Sequence, residues 1–383
     1  MRKNSRFISS QFLTALFLIV LALPAWGGQK MFGNMALVSQ SDSNNILISL
    51  ANIATFTSPV TAMARIGTWC GTPSKDNPCL IKILPGKYNL GSGSLTMQPY
   101  VDIEGSGEAV TFISSALNSP TLAGVVNGAD NSEIRFLTVT NTFAGTGSGV
   151  AIANKSQSPK LTHVTAMVSG AMTSYALYNS GSSPTLNNVT ALVGGLTGYG
   201  VYNTAASPAM NNVSVTATAN FESFGVYDSG SSSPTMDGAT IKTDGHFSNG
   251  IYNVESSPNM RNVIVTTRGL NSYAMTNISS SPVMNDVIIS ALPGTNGYGV
   301  SNESSTLTMS NVTVSTSGRS SCVSNHSSTV TADRSTIVGG INNDASSTMK
   351  IGGSRLVGGA VGDGATCAAS YDGNFVALGA NCR

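Results

Sequence analysis

Tyr199-Gly200-Val201-Tyr202-Asn203-Thr204-Ala205-Ala206-Ser207-Pro208-Ala209-Met210-Asn211-Asn212-Val213 is one unit of a chain that repeats itself. Before it stands Tyr175-Ala176-Leu177-Tyr178-Asn179, and after it Phe224-Gly225-Val226-Tyr227-Asp228, each followed by its own Ser-rich turn. Ser-Pro recurs at Pro159, Pro184, Pro208, Pro234, Pro258 and Pro282, in steps of 24 to 26 residues. A marker precedes each proline: Asn154, Asn179, Asn203, Asp228, Asn253 and Asn277. Asn302, Asn325 and Asn343 continue the series without the proline. A repeat of this length is the signature of a solenoid, in which each unit buries its apolar face only against its neighbours.

Alignment on the marker separates apolar from polar columns. Two residues before it stand Ile152, Leu177, Val201, Val226, Ile251, Met275 and Val300. After it come Leu161, Leu186, Met210, Met236, Met260, Met284 and Met309, then Val164, Val189, Val213, Ala239, Val263, Val287 and Val312. Met exchanges with Leu in one column, which is core filling rather than a metal-binding face. Period-two alternation, strand formers and turn residues after every four to six positions favour short strands over helices. About 24 residues suit three strands and three turns, with equivalent residues roughly 4.8 Å apart in stacked coils. The fold class is therefore all-β, a single-stranded right-handed parallel β-helix. Two Asn-rich columns, the marker and His163, Asn188, Asn212, Gly238, Asn262, Asp286 and Asn311, read as turn formers that also bond from coil to coil.

The ends differ. Arg2, Lys3 and Arg6, an apolar run from about Phe12 to Leu23, and small residues up to Gly27 describe a secretory signal peptide over 1–27. The run is shorter than the roughly 20 residues of a spanning helix. Without it the chain holds 16 Lys+Arg against 18 Asp+Glu, which argues against a nucleic-acid partner. Residues 28–80 lack the repeat. Ile46, Leu47, Leu50, Ile53 and Ala54 have helical spacing there, capped by Asp42 or Ser43, and predict one short helix covering the first coil. Residues 81–357 form the solenoid, and 358–383 a C-terminal cap. Export implies an oxidising compartment, so Cys70–Cys79 and Cys367–Cys382 are expected as local disulfides. Cys322 is left as a small buried residue. No cofactor or metal-ligand spacing is visible.

Ile81-Lys82-Ile83-Leu84-Pro85-Gly86-Lys87-Tyr88 and Val101-Asp102-Ile103-Glu104-Gly105-Ser106-Gly107 resemble the opening coils of the pectin lyase-like superfamily, particularly pectinesterase-like chains. The later units resemble the repeats of bacterial exported β-helix proteins. The resemblance spans roughly 42–357 and implies the fold; this fold hosts many activities. The paired aspartates and Asp-Phe-Ile-Phe-Gly motif of pectinesterases have no match, nor do the Asn-Thr-Asp, Gly-His-Gly and Arg-Ile-Lys motifs of polygalacturonases.

Two constellations remain. Asp244 and Arg268 stand nine residues before their markers and should stack on adjacent coils, with His246 and Phe221 sharing another column and Glu222 alongside. A carboxylate, an imidazole and a guanidinium on one turn suit acid–base work on a sugar; the alternative is an exposed ion pair. Tyr178, Tyr202, Tyr227 and Tyr252, one residue before the marker, should face outward as an aromatic stripe. Such a stripe binds sugars, is buried by a partner, or simply stacks across strands. A second column, Tyr175, Tyr199, Phe224, Tyr273 and Tyr298, reads as core, and Asp102/Glu104 as a solvated face. The function expected is an exported, non-enzymatic interaction protein, secreted or periplasmic, with a polysaccharide or cell-surface glycan as partner. The alternatives are a polysaccharide lyase, esterase or hydrolase, and a structural shaft.

Overall fold

The structure, a computed structural model, describes residues 34–40, 54–292, 297–317, 321–359 and 361–383. The expected signal peptide lies outside these residues, as does nearly all of the expected 42–54 helix; Ala54, which was to close it, begins the strand Ala54–Phe56.

Each coil turns its Val, Ile, Leu and Met inward and stacks on the next in parallel register. One sheet has eleven strands in sequence order along the axis, among them Ala171–Ser180, Thr197–Thr204, Glu222–Ser229, Phe247–Val254 and Asn271–Ile278. The rest of each coil belongs to a 25-stranded sheet. In Thr185–Val193 this part is one long strand; from Ala209–Asn211 and Ser214–Ala217 onward it is two. The three apolar columns are buried throughout, Met210, Met236, Met260, Met284 and Met309 included. Together they form one core running the length of the solenoid.

The two Asn columns do different jobs. His163, Asn188, Asn212, Asn262, Asp286 and Asn311 hold φ between 51° and 55°, with Gly238 at 70°. This left-handed bend is the turn former that the sequence indicates. The marker column is instead buried at the ends of straight strands. It forms a ladder along the axis: Asn154 Nδ2 donates to Asn179 Oδ1 (2.8 Å), Asn179 to Asn203 (2.8 Å), and Asn203 to Asp228 Oδ1 (2.7 Å). It resumes at Asn253 and runs through Asn277, Asn302 and Asn325 to Asn343. A serine ladder runs beside it, in which each Ser N–H bonds the hydroxyl of the next coil: Ser256 to Ser280, Ser280 to Ser305, Ser305 to Ser328, and Ser328 to Ser347.

The sheet extends past both boundaries drawn from the sequence. Met35–Val38 pairs with Ala54–Phe56 and with Cys79–Ile83. At the other end Ala365–Ala368 and Tyr371–Asp372 continue the ladders. The first coil is covered by two short helices, Pro59–Ala64 and Ile66–Trp69, with Ser58 capping the first and Ala62, Met63 and Ile66 buried. Cys70–Cys79 and Cys367–Cys382 are both disulfides, and Cys322 is free and buried. No helix among the described residues is long and apolar enough to cross a membrane.

Replacing Asn277 by Ala orphans the Asn253 amide and the Asn302 oxygen inside the solenoid. The expected loss is about 1–3 kcal/mol for each orphaned group, read as a lower urea midpoint.

Candidate functional site

The outer face of the eleven-stranded sheet carries the tyrosines. Tyr178, Tyr202, Tyr227 and Tyr252 lie half-buried in one file, with successive ring centroids 5.5, 4.9 and 5.2 Å apart and planes within 14° of parallel. The Tyr175 file is not core: it lies on this same face. Tyr175, Tyr199 and Phe224 stack at 4.9 and 4.8 Å. Each meets the first file edge-on, as Tyr199 meets Tyr202 at 5.2 Å and 88°. Phe224 meets Tyr227 at 5.5 Å and 84° in the same way. Two files at right angles make a herringbone, which suits the ring quadrupole. Asn249 interrupts the inner file after Phe224, and Tyr273 and Tyr298 resume it.

This packing changes what the stripe offers. Tyr202 and Tyr227 each have a parallel ring on both faces, so the inner rings present rims rather than faces. Burial pushes the Tyr175 phenol up to about 12 and raises those of Tyr199, Tyr202, Tyr227 and Tyr252 as well. These phenols stay protonated as donors at any ordinary pH. Lys155 Nζ lies 5.7 Å over the Tyr178 ring at one end of the file. Glu222 and Glu303 are close enough to act electrostatically on Tyr252.

At the edge of this face stand Glu222, Asp244, His246 and Arg268. Asp244 and Arg268 are in register on adjacent strands, as the spacing requires. No hydrogen bond or ion pair joins any two of the four side chains among the described residues, so the expected surface ion pair does not form. His246 stacks on Phe221 at 6.1 Å and meets Phe247 at 4.6 Å. Phe221 and His246 share a column with Met172, Leu196 and Leu270, all exposed.

Charge gathers instead on the opening coils, in a network that sequence reasoning missed. Lys82 Nζ bonds Glu104 Oε1 (2.6 Å), Arg135 Nε bonds Glu104 Oε2 (2.8 Å), and Arg135 Nη1 reaches Asp102 (3.0 Å) and Glu133 (2.8 Å). Lys160 and Thr162 complete Glu133. Glu104 is 8% exposed, so the pair is not a solvated face. Burial pushes Glu104 up, but Lys82 and Arg135 outweigh it and hold it below the usual range; at Asp102 burial wins and the carboxyl is raised. Three carboxylates and three cations satisfy one another, which leaves no group free for chemistry. The signal lay in the period-two pairs Asp102/Glu104 and Glu133/Arg135, one coil apart.

No protein-family model matches the chain, and no curated protein matches it. Solved structures do. The mannuronan C-5 epimerase AlgE6 A-module of Azotobacter vinelandii is 14% identical, over 81% of this chain and 94% of that one, with a TM-score of 0.44. A pectin methylesterase bound to a hexasaccharide is 12% identical over 91% and 92%, with a TM-score of 0.34. The catalytic domain of a GH87 α-1,3-glucanase with nigerose is 12% identical over 90% and 69%, with a TM-score of 0.32. The fold itself stands on the strand register, which makes the chain a parallel β-solenoid. At these identities and TM-scores the likenesses say nothing of the site, which rests on its own residues.

Arg135→Met leaves Asp102, Glu104 and Glu133 short of their shared cation. Breaking one partner out of a buried ionic network is expected to cost about 3–5 kcal/mol. Hydrogen exchange should show it as lost protection in residues 79–83, 101–104 and 133–141.

Proposed function

We propose that the protein is an exported, polysaccharide-contacting β-helix whose contact surface is the outer face of the eleven-stranded sheet, centred on Tyr178, Tyr202, Tyr227 and Tyr252. The observation that carries this is the row of stacked phenols, one per coil, with ring centroids 4.9 to 5.5 Å apart. A ligand that repeats along its length meets the same group at each coil, so an extended glycan lies along the axis. Ring rims and hydroxyls do the work, through hydrogen bonds rather than stacking. The charges beside the rings are Glu222, Glu303 and Lys155. That near-balance favours neutral sugars over polyuronates, which need cations facing them.

A second reading, catalysis on the same polysaccharide, rests on Glu222, Asp244, His246 and Arg268 at the edge of the face. Titratable groups of both signs stand there on neighbouring coils. The enzymes sharing the fold have carbohydrate substrates by name, a likeness that bears on fold alone.

Affinity electrophoresis of residues 28–383 through neutral glucans, xylan, pectate and alginate, with product analysis of the same mixtures, separates the two. Retardation by a neutral polysaccharide, lost at least tenfold in the Tyr202→Ala/Tyr227→Ala double variant, is the expected result. Retardation by none sinks the proposal. Cleavage abolished by Asp244→Ala establishes the second reading.

A further inference from the structure

The buried marker ladder contains one acid. Asp228 stands where the other coils from Asn154 to Asn343 have Asn, is 0% exposed, and is in register with Asn203 on one side and Asn253 on the other. Every amide in the ladder gives its Nδ2 hydrogen to the oxygen of the following coil. Asn203 gives its hydrogen to Asp228 Oδ1, and Asn253 gives its own to Asn277, each at 2.7 Å. Asp228 Oδ2 and Asn253 Oδ1 are then left facing each other, and both are buried with no partner. Two lone-pair oxygens cannot make a rung.

Turning Asn253 over would supply a donor only if every amide beyond it turned too. The far end opposes this. Asn343 Nδ2 donates to the Asp363 carbonyl at 3.1 Å, a group that only accepts, and so fixes the direction of the rungs leading to it.

We propose that Asp228 is a neutral carboxylic acid in the folded protein, its Oδ2–H donating to Asn253 Oδ1, so that one buried proton closes the ladder beneath the aromatic face. Among the described residues no charged side chain faces it. The flanking strands Thr197–Thr204 and Phe247–Val254 turn Asn203 and Asn253 towards it, and buried Ser232 and Met236 follow on its own coil. Glu222 on its own strand and Tyr202, Tyr227 and Tyr252 belong to the outer face, and Asp237 on the next strand is exposed. Consistent with that setting, burial pushes the Asp228 carboxyl up to about 7, against the lowering effect of Asn203.

The sign follows from proton counting. The folded chain keeps a proton that the unfolded chain releases above an ordinary Asp pKa, about 4. The stability that Asp228 contributes is therefore full at or below that pH, falls as pH rises to about 7, and levels off beyond. The strand concerned also carries Phe224 and Tyr227, the middle of the herringbone.

Asp228→Asn puts an amide donor where the acid proton stood. Its urea unfolding should match wild type near pH 4. Between pH 4 and 7 the wild-type unfolding constant should rise relative to the variant by about tenfold per pH unit. Infrared difference spectra of wild type against Asp228→Asn at pH 5 should show a protonated-carboxyl carbonyl band that disappears on titration to pH 9. Parallel pH profiles for the two proteins with no such band would overturn the proposal, and would mean that Asp228 is ionised and the rungs beyond it are reversed. A band at pH 5 in wild type sustains the proposal even if the variant folds poorly.

Discussion

A parallel β-helix obliges every side chain to lie against its own counterpart one strand spacing away, and the remaining features of this protein follow from that rule. An apolar column satisfies it by packing, which is why Met and Leu exchange freely after the marker. A buried polar column satisfies it only if the residue both donates and accepts. Asn and Ser do so, and those are the residues of the two ladders. A charged column violates the rule outright, because like charges would meet at each coil. Charged residues make up only 10% of the chain. In the column of Lys82, Glu104 and Arg135 the sign alternates from coil to coil.

Because the rule acts column by column, it was legible. Spacing gave the coils, the inward columns and the left-handed bend at Asn188 and its relatives, from residue type at fixed intervals, and the closeness of the cysteines in an exported chain gave the disulfide partners. The aromatic face was half legible. The Tyr178 file was placed outward correctly, while the Tyr175 file was assigned to the core by strict alternation.

Alternation failed there for a physical reason. Between the two files stand two consecutive buried residues, Ala176 with Leu177, and in the next coils Gly200 with Val201 and Gly225 with Val226. A Cβ on Gly200 would come within 2.2 Å of Val215 Cγ1, and one on Gly225 within 2.3 Å of Ile241 Cγ2. The strand is pressed against the opposite wall at this point, so the column takes small residues. The extra inward residue returns the next position to the outside. The small-residue column Ala176, Gly200, Gly225, Gly250, Ala274 and Gly299 carried that information. It marked a place where the period of two slips, and the aromatic residues on both sides of it share one face as a result.

A surface made of repeated columns is suited to a repeated ligand, since each coil presents the same contact. Chemistry on a ligand demands the reverse, unlike groups converging on one bond. In a solenoid such convergence arises only where columns change residue type. Three columns change within one stretch: Phe221 and His246 in a column otherwise of Met and Leu, Asn249 in the aromatic file, and Asp228 in the asparagine ladder. Three independent columns depart from their pattern between 221 and 253, on the coils that also hold Glu222 and Asp244. Regular stacking explains none of these departures.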